Sequence, residues 1–518
     1  MQSLPDQTLT RYVEMGYGEM NIRQCWERAR GDLHLFEQFL FDGCSDVSEA
    51  ILYQISQQDY FNNDEIFRSQ NILEQIKNET LQMYQQSSRK IKLRTKDKYV
   101  GLLNIGNTCS INSVLQFCHQ IPQLFKLLLE CQNGKSQQYE KFVLEIQILF
   151  TQLIASNVEY VIPRDAIKSI SWEPQEQEYI GAQQDIIEIF NLLLNKFDKS
   201  IRRLHMQNLM ATDVLRVELF GNQKMNELFQ IILMNDKNQR EYHPNIVATL
   251  KHKNIRTFLS KDFSNKILEL PKFLRISINR IIFSNRSIIK LQNEFIIEES
   301  LNLEMCVYNN NSPNQKEQIN KLLKQSTDLQ EEIQKIRLYL SSLNGVIQVY
   351  ENEGIFIDLI FLLKKKQESI MNQLKQKEEI YKQNQLNINK LTSNRYQYRI
   401  HSIVIHFGSA QEGHNLIYIY NFFLEKWMKY NDISVQFVEE NVVLHDSKIY
   451  GQLVTYVNQD MIPQLRSHQQ FIQNIGNIVV AQPNKELQQI VEINNIPQNV
   501  LTFVTKQNQE NYRNNQNY

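Results

Sequence analysis

The chain has 518 residues, more than one compact core usually holds, so roughly two to four units are expected. Its hydrophobic content of 42% is sufficient for globular cores. The formal net charge of -1 argues against a protein that binds nucleic acid or an anionic membrane through its overall charge.

The first residues, the longest apolar runs and the cysteines indicate the cellular compartment. The first residues, MQSLPDQTLTRY, are polar and lack the apolar stretch of a signal peptide. The longest apolar runs, such as GIFIDLIFLL, are about half of the ~20 residues that a membrane-spanning helix needs. Six cysteines stand at positions 25, 44, 109, 118, 131 and 306, without any C-x-x-C pair. We therefore expect a soluble intracellular protein, cytoplasmic, nuclear or both, with reduced cysteines and with neither metal nor cofactor.

The N-terminal part predicts two segments. Residues 1–43 have helical periodicity, and Gly16 and Gly31 divide them into three short helices. Residues 44–97 are polar and helical in patches, so they are expected to connect units rather than to form a core.

From residue 98 the pattern becomes mixed α and β, and residues 98–311 form the first part of this unit. Apolar helical stretches come first, namely QYEKFVLEIQILFTQLIAS and QQDIIEIFNLLLNKFD. Strand-like stretches rich in branched residues follow, namely VLRVELFG and KFLRISINRIIF.

A cysteine opens the first helix of this unit, in GLLNIGNTCSINSVLQ. Asn107 and Thr108 are suited to cap a helix that ends before Pro122. Cys109 would then lie at the positive end of the helix dipole, which favours a nucleophilic thiolate. Asn104 lies on the preceding loop, where its amide can donate to an oxyanion. The alternative for Cys109 taken alone is a small buried apolar side chain.

The region after 311 changes character twice. Residues 312–394 contain two long apolar-periodic helices with a break at NGVIQVYENEG, which predicts an inserted antiparallel hairpin. Strand patterning resumes over 395–458, in YQYRIHSIVIHFG, NLIYIYNFF, KWMKYND and QLVTYVNQ. Residues 459–518 are rich in Gln and Asn and predict a loosely ordered tail.

A base for the cysteine is found among these later strands. His414 follows a glycine at the start of a strand, and Asn431 and Asp432 follow an aromatic residue at the end of the next. On neighbouring antiparallel strands, Asn431 can accept a hydrogen bond from one imidazole nitrogen and leave the other facing Cys109. The alternative for His414 alone is an ordinary core or surface histidine.

Four segments in order resemble the ubiquitin-specific proteases, papain-like thiol hydrolases that remove ubiquitin. GLLNIGNTCSINSVLQ resembles their cysteine box, and IHFGSAQEGHNLIYIYN with KWMKYNDISV resembles their histidine box. GAQQDIIEIF and LPKFLRISINRIIF resemble two intervening family motifs. The resemblance covers residues 98–458 apart from the hairpin.

The resemblance implies a role for each matching residue. Cys109 matches the nucleophile, His414 the general base and Asn431 the third member of the triad. Asp432 matches an assisting acidic position, and Asn104 matches the oxyanion donor. The implied reaction is hydrolysis of the bond between ubiquitin's C-terminal glycine and a lysine amine.

Two further sets of residues are implied to bind ubiquitin. Asp185 and Glu188 match acidic residues that hold the arginine-bearing tail of ubiquitin, and their alternative is a solvated helix face. Met15, Gly16 and Tyr17 match the loop of a ubiquitin-associated domain, so residues 1–43 resemble that three-helix module; a generic three-helix unit is the alternative.

The implied fold is α+β: a helical thumb, an α/β palm and β-fingers, here without the zinc site that the family's fingers often carry. The helical insertion resembles that of the ubiquitin-specific protease twenty-five and twenty-eight subgroup, in which it mediates self-association. An arm that closes only on itself is the alternative.

Two positions depart from the family pattern. Asn415 stands where an aromatic residue usually follows the catalytic histidine, and Ser110 stands where an aromatic residue usually follows the nucleophile. These departures leave open a catalytically weak pseudoenzyme that binds ubiquitin. A protease for a ubiquitin-like modifier is the other alternative, and neither alternative involves nucleic acid or a membrane.

Overall fold

The computed structural model divides the chain into two units, residues 1–68 and 69–518. It describes Trp26 and residues 92–131, 137–171, 185–205, 223–235, 237–264, 266–284, 287–308, 313–353, 357–391, 394–409, 413–482, 486–487 and 496–516. The three-helix module predicted over residues 1–43 and the strand predicted at VLRVELFG lie outside the described residues, apart from Trp26. Among the described helices, none has the length and apolarity needed to cross a bilayer.

Helices make up most of the described chain. They are α1 (Cys109–His119), α2 (Pro122–Leu129), α3 (Gln137–Ala155), α4 (Arg164–Lys168), α5 (Ile186–His205), α6 (Gln223–Phe229), α7 (Ile255–Asp262), α8 (Pro313–Glu353), α9 (Ile357–Leu391), α10 (Glu440–Tyr450), α11 (Ile462–Ala481) and α12 (Gln498–Gln516).

The strands are β1 (Gly101–Leu102), β2 (Tyr160–Val161), β3 (Ile231–Met234), β4 (Arg240–His243), β5 (Ile246–Thr249), β6 (Ile267–Glu269), β7 (Phe273–Asn279), β8 (Ile281–Ser284), β9 (Ser287–Lys290), β10 (Ser300–Asn302), β11 (Gln397–Gly408), β12 (Gly413–Asn421), β13 (Lys426–Asn431), β14 (Ser434–Val438) and β15 (Gly451–Asn458). The fold is therefore mixed α and β, as predicted.

An eight-stranded sheet is the centre of the described unit. Its strands run in the order β14-β13-β12-β11-β15-β7-β5, and β10 also pairs with β11. All of these pairs are antiparallel except the parallel pair of β5 and β7. Because β11 and β12 are long and apolar, they are buried on both faces of the sheet.

Two apolar clusters cover the two faces of this sheet. One packs helices α1, α2, α3 and α5 against the sheet, with Phe117, Phe150 and Phe190 at its centre. The other lies on the opposite face, where Val443 and Tyr450 of α10 pack with β7, β11 and β15. Helix α1 is buried along its whole length and contacts β12 and α5, so its first residue is held against the sheet.

The two long helices between β10 and β11 pack on one another. Ion pairs join Glu351 to Lys364 and Arg337 to Glu378, which is the pairing of an antiparallel hairpin. The predicted break at residues 344–354 is wrong in its position, because α8 continues through Gly345 to Glu353. An added Cβ at Gly345 would meet open space, and one exposed glycine costs a helix only about 1 kcal/mol.

The expectation of a loosely ordered tail after residue 459 is also wrong. Helix α11 buries Leu465, Ile472 and Val479, and α12 packs on α3. Asn508 fixes α12 in place, since its Nδ2 donates to the Ala155 carbonyl at 2.7 Å. The polar composition of this region conceals apolar residues at helical spacing.

Candidate active site

Cys109 is the first residue of α1 and is only 3% exposed. The turn before it contains two residues of positive φ, Gly106 at 118° and Asn107 at 52°. Glycine and asparagine are the residue types that adopt this left-handed region most readily, so the local sequence fits the turn. The predicted helix is thus confirmed, and the thiol lies at its N-terminus.

The capping of α1 differs from the prediction. Thr108 is the N-cap residue but makes no side-chain cap hydrogen bond. Its Oγ1 instead accepts a hydrogen bond from the backbone N–H of Ile105 at 3.1 Å. The Asn104 Oδ1 accepts hydrogen bonds from the N–H groups of Gly106 and Thr108, both at 3.1 Å. The turn is therefore held by Asn104 and Thr108 within itself.

Asn104 also reaches across the molecule. Its Nδ2 donates to Asp432 Oδ2 at 3.0 Å. Asn104 was expected to direct its amide toward an oxyanion beside Cys109, and in the structure one of its donors is committed to a carboxylate. A side-chain amide has two N–H donors, so the second remains for another acceptor.

His414 enters the site as the second residue of β12. Gly413 precedes it, and an added Cβ there would clash with the His406 imidazole and the Phe407 carbonyl. Only glycine therefore permits β12 to start at this point. His414 itself is 8% exposed.

The His414 imidazole contacts both of its predicted partners. Its Nε2 lies 2.6 Å from Asn431 Oδ1, and the Cys109 side chain is the leading cause that raises the pKa of its ring. The register pairs Ile417 with Tyr430, so Asn431, one residue further on, reaches His414 diagonally between the two strands.

The pKa of His414 reflects these contacts. Burial alone lowers it, but the hydrogen bond and charge of Cys109, then Asp432 and Asn431, raise the pKa to about 9. The imidazole is therefore protonated at neutral pH, beside the Cys109 side chain. This is the arrangement that a cysteine nucleophile and its base require.

Asp432 lies beside the histidine, in a turn where its own φ is 48°. Its Oδ2 is 4.0 Å from His414 Nε2. Its Oδ1 accepts from Asn112 Nδ2 at 2.7 Å, and the Leu102 N–H donates to its backbone carbonyl at 2.9 Å. Burial raises the pKa of Asp432, and His414, Asn112 and Asn104 oppose that rise.

The two positions that depart from the family pattern contact each other. Asn415 Nδ2 donates to Ser110 Oγ at 2.9 Å, and the Asn415 N–H points to Cys109 Sγ at 3.4 Å. Both residues are buried. The departures thus form a polar pair directly beside the thiol.

A cavity of about 280 Å³ extends from this point. It lies between the start of α5 and strands β5, β7 and β15, and its lining includes Asp185 and Asn415. Asp185 Oδ1 caps α5 by accepting from the Ile187 N–H at 2.7 Å. Glu188 is exposed on the first turn of α5 and does not line the cavity.

Lys290 also lines the cavity, beside the turn that leads into β12. Its Nζ donates to the carbonyls of His406 and Gly408 at 2.6 and 3.1 Å. Burial, then the charge of Arg280, lowers the pKa of Lys290 to about 7. Burial, then Lys290 and His414, lowers the pKa of His406 to about 3, so His406 is neutral and His414 is the charged histidine.

The structure therefore brings together Cys109, His414, Asn431, Asp432 and Asn104, and it places Asp185 on the adjoining cavity. Met15, Gly16 and Tyr17 lie outside the described residues. Sequence reasoning missed Asn112, although it stands three residues after Cys109, one helical turn away. A thiolate, a protonated imidazole and an acceptor for that imidazole are the groups required for acyl transfer through a covalent intermediate.

Comparison with known proteins agrees with this chemistry. The family model described as "Ubiquitin carboxyl-terminal hydrolase" matches residues 100–458. "Ubiquitin carboxyl-terminal hydrolase 34" of Homo sapiens is 28% identical over 107 residues, which are 21% of this chain and 3% of that protein. "Ubiquitin carboxyl-terminal hydrolase 28" of Mus musculus is 32% identical over 109 residues, which are 18% of this chain and 10% of that protein.

A longer match covers more of the chain. "Ubiquitin carboxyl-terminal hydrolase 47" of Drosophila melanogaster is 22% identical over 382 residues, which are 65% of this chain and 22% of that protein. The chain thus spans less than a quarter of the length of each of these relatives.

Proposed function

Since the chain belongs to the ubiquitin carboxyl-terminal hydrolase family, we propose that it is a thiol-dependent deubiquitinase. It hydrolyses the bond between ubiquitin's last glycine and a lysine amine of a substrate protein or of another ubiquitin. The observation that carries this proposal is the position of His414, whose Nε2 lies 2.6 Å from Asn431 Oδ1 and whose pKa is raised chiefly by the Cys109 side chain.

The first half of the reaction forms an acyl-enzyme. The Cys109 thiolate attacks the carbonyl carbon of ubiquitin's last glycine, and the carbonyl oxygen becomes an oxyanion. The C–N bond then breaks, and the leaving lysine nitrogen takes a proton from the His414 imidazolium. Ubiquitin is left joined to Cys109 as a thioester.

The second half releases ubiquitin. Neutral His414 takes a proton from water, whose oxygen attacks the thioester carbonyl, and the C–S bond breaks to restore the thiolate and the imidazolium. Asn431 keeps the ring oriented throughout, because its Oδ1 accepts from Nε2–H at 2.6 Å. Asp432 favours the imidazolium through its charge.

Oxyanion stabilisation falls to groups around the thiol. The donors are the second N–H of the Asn104 amide and the backbone N–H groups at the start of α1, because the first N–H groups of a helix have no intrahelical partner. Asn104 is held in position for this by its bonds to the turn and to Asp432.

The ubiquitin tail lies in the cavity beside α5. In the family's hand-like fold, α1 to α5 correspond to the thumb, the large sheet to the palm and β3, β4 and β6 to the fingers. Asp185 on the cavity wall and Glu188 on the first turn of α5 supply the negative charge that arginine side chains of the tail require.

Two other elements contribute to partner binding. Residues 1–43, with Met15, Gly16 and Tyr17, form a ubiquitin-associated module that holds a second ubiquitin. The hairpin of α8 and α9 mediates self-association, as the resemblance to the twenty-five and twenty-eight subgroup implies. Phe361 and Leu362, 68% and 60% exposed near the hairpin's turn, support this role because they form an apolar surface without cover among the described residues. We place the protein in the cytoplasm, the nucleus or both.

The test uses ubiquitin with a C-terminal electrophile, mixed with the purified protein and with Cys109→Ala. A covalent adduct is expected with the wild type alone. Binding of ubiquitin without adduct formation would instead support a pseudoenzyme. The polar pair of Ser110 and Asn415, which stands where the family usually has aromatic residues, is the reason to consider that alternative. Adduct formation with a ubiquitin-like modifier but not with ubiquitin would support the remaining alternative.

A further inference from the structure

Two amide side chains leave carbonyl oxygens without partners on the wall of the same cavity. Among the described residues, neither Asn415 Oδ1 nor Gln452 Oε1 has a hydrogen-bond partner, and both atoms are buried. Both residues line the cavity of about 280 Å³, and the backbone N–H of Asn415 contacts Cys109 Sγ. Since a buried acceptor without a donor costs about 1–3 kcal/mol, two on one cavity wall indicate that a ligand supplies the missing donors.

Asn415 is fixed in its orientation. It is 3% exposed, its Nδ2 is engaged by Ser110 Oγ at 2.9 Å, and its backbone N–H is engaged by Cys109 Sγ at 3.4 Å. The bond to Ser110 fixes the amide plane, and Oδ1 is the atom of this side chain that has no partner among the described residues. The acceptor Oδ1 therefore belongs to the residue whose backbone N–H contacts Cys109 Sγ.

Gln452 owes its position to an irregularity of the sheet. Leu453 pairs with Val404 and Gly451 pairs with Ile405, so Gln452 is an extra residue between two consecutive partners on β11. Such a bulge turns the side chain of the extra residue away from the regular alternation of the strand. This irregularity carries Gln452 onto the cavity wall instead of leaving it in a ladder pair.

Two acceptors fit the main chain of an extended peptide. Such a peptide presents N–H donors toward one side at every second residue, about 7 Å apart. Side-chain amide oxygens supply the acceptors that a neighbouring strand would otherwise supply. The carbonyls of His406 and Gly408 near Lys290 already accept hydrogen bonds from its Nζ, so they differ from the two acceptors that have no partner.

We propose that Asn415 and Gln452 determine specificity by accepting hydrogen bonds from backbone N–H groups of the extended ubiquitin tail. This inference rests on the proposed function, because it states how the cavity recognises the tail of the proposed substrate. Asn415 binds the N–H nearest to the scissile carbonyl, and Gln452 binds one further from it. Asp185 binds the positively charged side chains of the tail, whereas Asn415 and Gln452 bind its main chain.

The test replaces one donor of the ligand at a time. Free ubiquitin is prepared by semisynthesis with an ester in place of a single backbone amide at each of its last four residues, so that one N–H is lost and the side chains are unchanged. Equilibrium binding to the wild-type protein is measured by fluorescence anisotropy. Variants Asn415→Leu and Gln452→Met, which keep approximate side-chain size but lack the acceptor, are measured against the same series.

Two of the esters are expected to weaken binding to the wild type by roughly tenfold each, the effect of losing one hydrogen bond to a buried acceptor. Asn415→Leu should bind native ubiquitin more weakly and show no further loss with the ester nearer the C-terminus. Gln452→Met should behave likewise with the other ester. Ser110→Ala is the matched control: it removes the bond to Asn415 Nδ2 but keeps Oδ1, so it should remain sensitive to both esters.

The inference is overturned if no ester weakens binding to the wild type, or if each ester weakens binding to wild type and variants equally. Absence of any ubiquitin binding would remove both this inference and the proposed function. The electrophile reaction at Cys109 is read separately, so an adduct with uniform ester binding would leave the deubiquitinase intact and refute the acceptor pair alone.

Discussion

Asn104 donates a hydrogen bond to Asp432 at 3.0 Å, and these two residues are 328 positions apart in the sequence. The bond joins the turn that precedes the thiol to the turn that follows β13. Asn112 binds the other oxygen of the same carboxylate from within α1. Asp432 thus fixes the turn and the helix that contain Cys109 relative to the strand end that contains Asn431, while its charge acts on His414.

Asp432→Asn removes that charge without changing the size of the side chain. We expect kcat for a fluorogenic ubiquitin substrate to fall by roughly 10- to 100-fold, because bonds to a buried charged group contribute about 1.5–3 kcal/mol. KM should change little, since Asp432 does not line the cavity. A variant that keeps wild-type kcat would show that Asp432 is only structural.

Asn431 is tested by a pair of substitutions. Asn431→Ala removes the acceptor for the imidazole and is expected to lower kcat by roughly 100-fold. Asn431→Asp keeps an oxygen where Oδ1 lies 2.6 Å from Nε2, so most of the activity should remain. Equal losses in both variants would contradict the orienting role, and circular dichroism serves as the control for folding.

The raised pKa of His414 predicts different pH limits for two reactions of the same thiol. Cleavage of a ubiquitin–lysine bond needs the imidazolium as proton donor, so its rate should fall as pH rises through about 9. Alkylation by iodoacetamide consumes the thiolate and needs no proton donor, so its rate should not fall there. A common decline of both rates would contradict the assignment of His414 as the acid.

The same shift links stability to pH. His414 titrates near 6.5 when unfolded and at about 9 when folded, so between these values the native protein holds an extra proton. Its contribution to stability is fully present below pH 6.5 and is lost as pH rises through 9. Cys109→Ala removes the leading causes that raise the pKa, so urea unfolding of this variant should show a flatter change over this range. An unchanged slope would show that Cys109 does not raise the pKa of His414.

Two glycines give opposite predictions for the same substitution. Gly101→Ala would drive a Cβ into the backbone of Ile433, next to Asp432, and should destabilise the protein by about 1–3 kcal/mol. Gly345→Ala adds a methyl group in open space on α8 and should stabilise it by about 1 kcal/mol. Chemical denaturation measures both, and a shared sign of the two effects would refute the steric argument.

The sequence was most informative where chemistry restricts residue type. Three motifs each need particular residue types, so the sequence predicted them. They are the turn at Gly106 and Asn107, the histidine after Gly413, and the Asn-Asp pair at the end of β13. Helix boundaries that depend on small free energies could not be predicted in the same way. Gly345, for example, destabilises a helix only weakly and lies inside a helix of 41 residues. In α11 the polar residues outnumber the apolar stripe of Leu465, Ile472 and Val479 that packs it.

Gln452 was missed for a different reason. Its exposure to the cavity depends on a register shift between β11 and β15, and a register is a property of two strands that only the folded sheet defines. Asn415 was noticed as a departure, but its significance comes from Ser110, which is 305 residues away and binds it through space.

The hairpin of α8 and α9 determines how far its turn lies from the large sheet. At 1.5 Å per residue the 41 residues of α8 extend about 60 Å, and no proline interrupts the helix after its first residue. Its two ends join β10 and β11, and β11 is the strand that leads directly to His414. If the proposed self-association holds a second molecule at the far end, that molecule is tethered to the sheet that contains His414 at a distance set by the helix length. This distance then determines its effective concentration near the sheet.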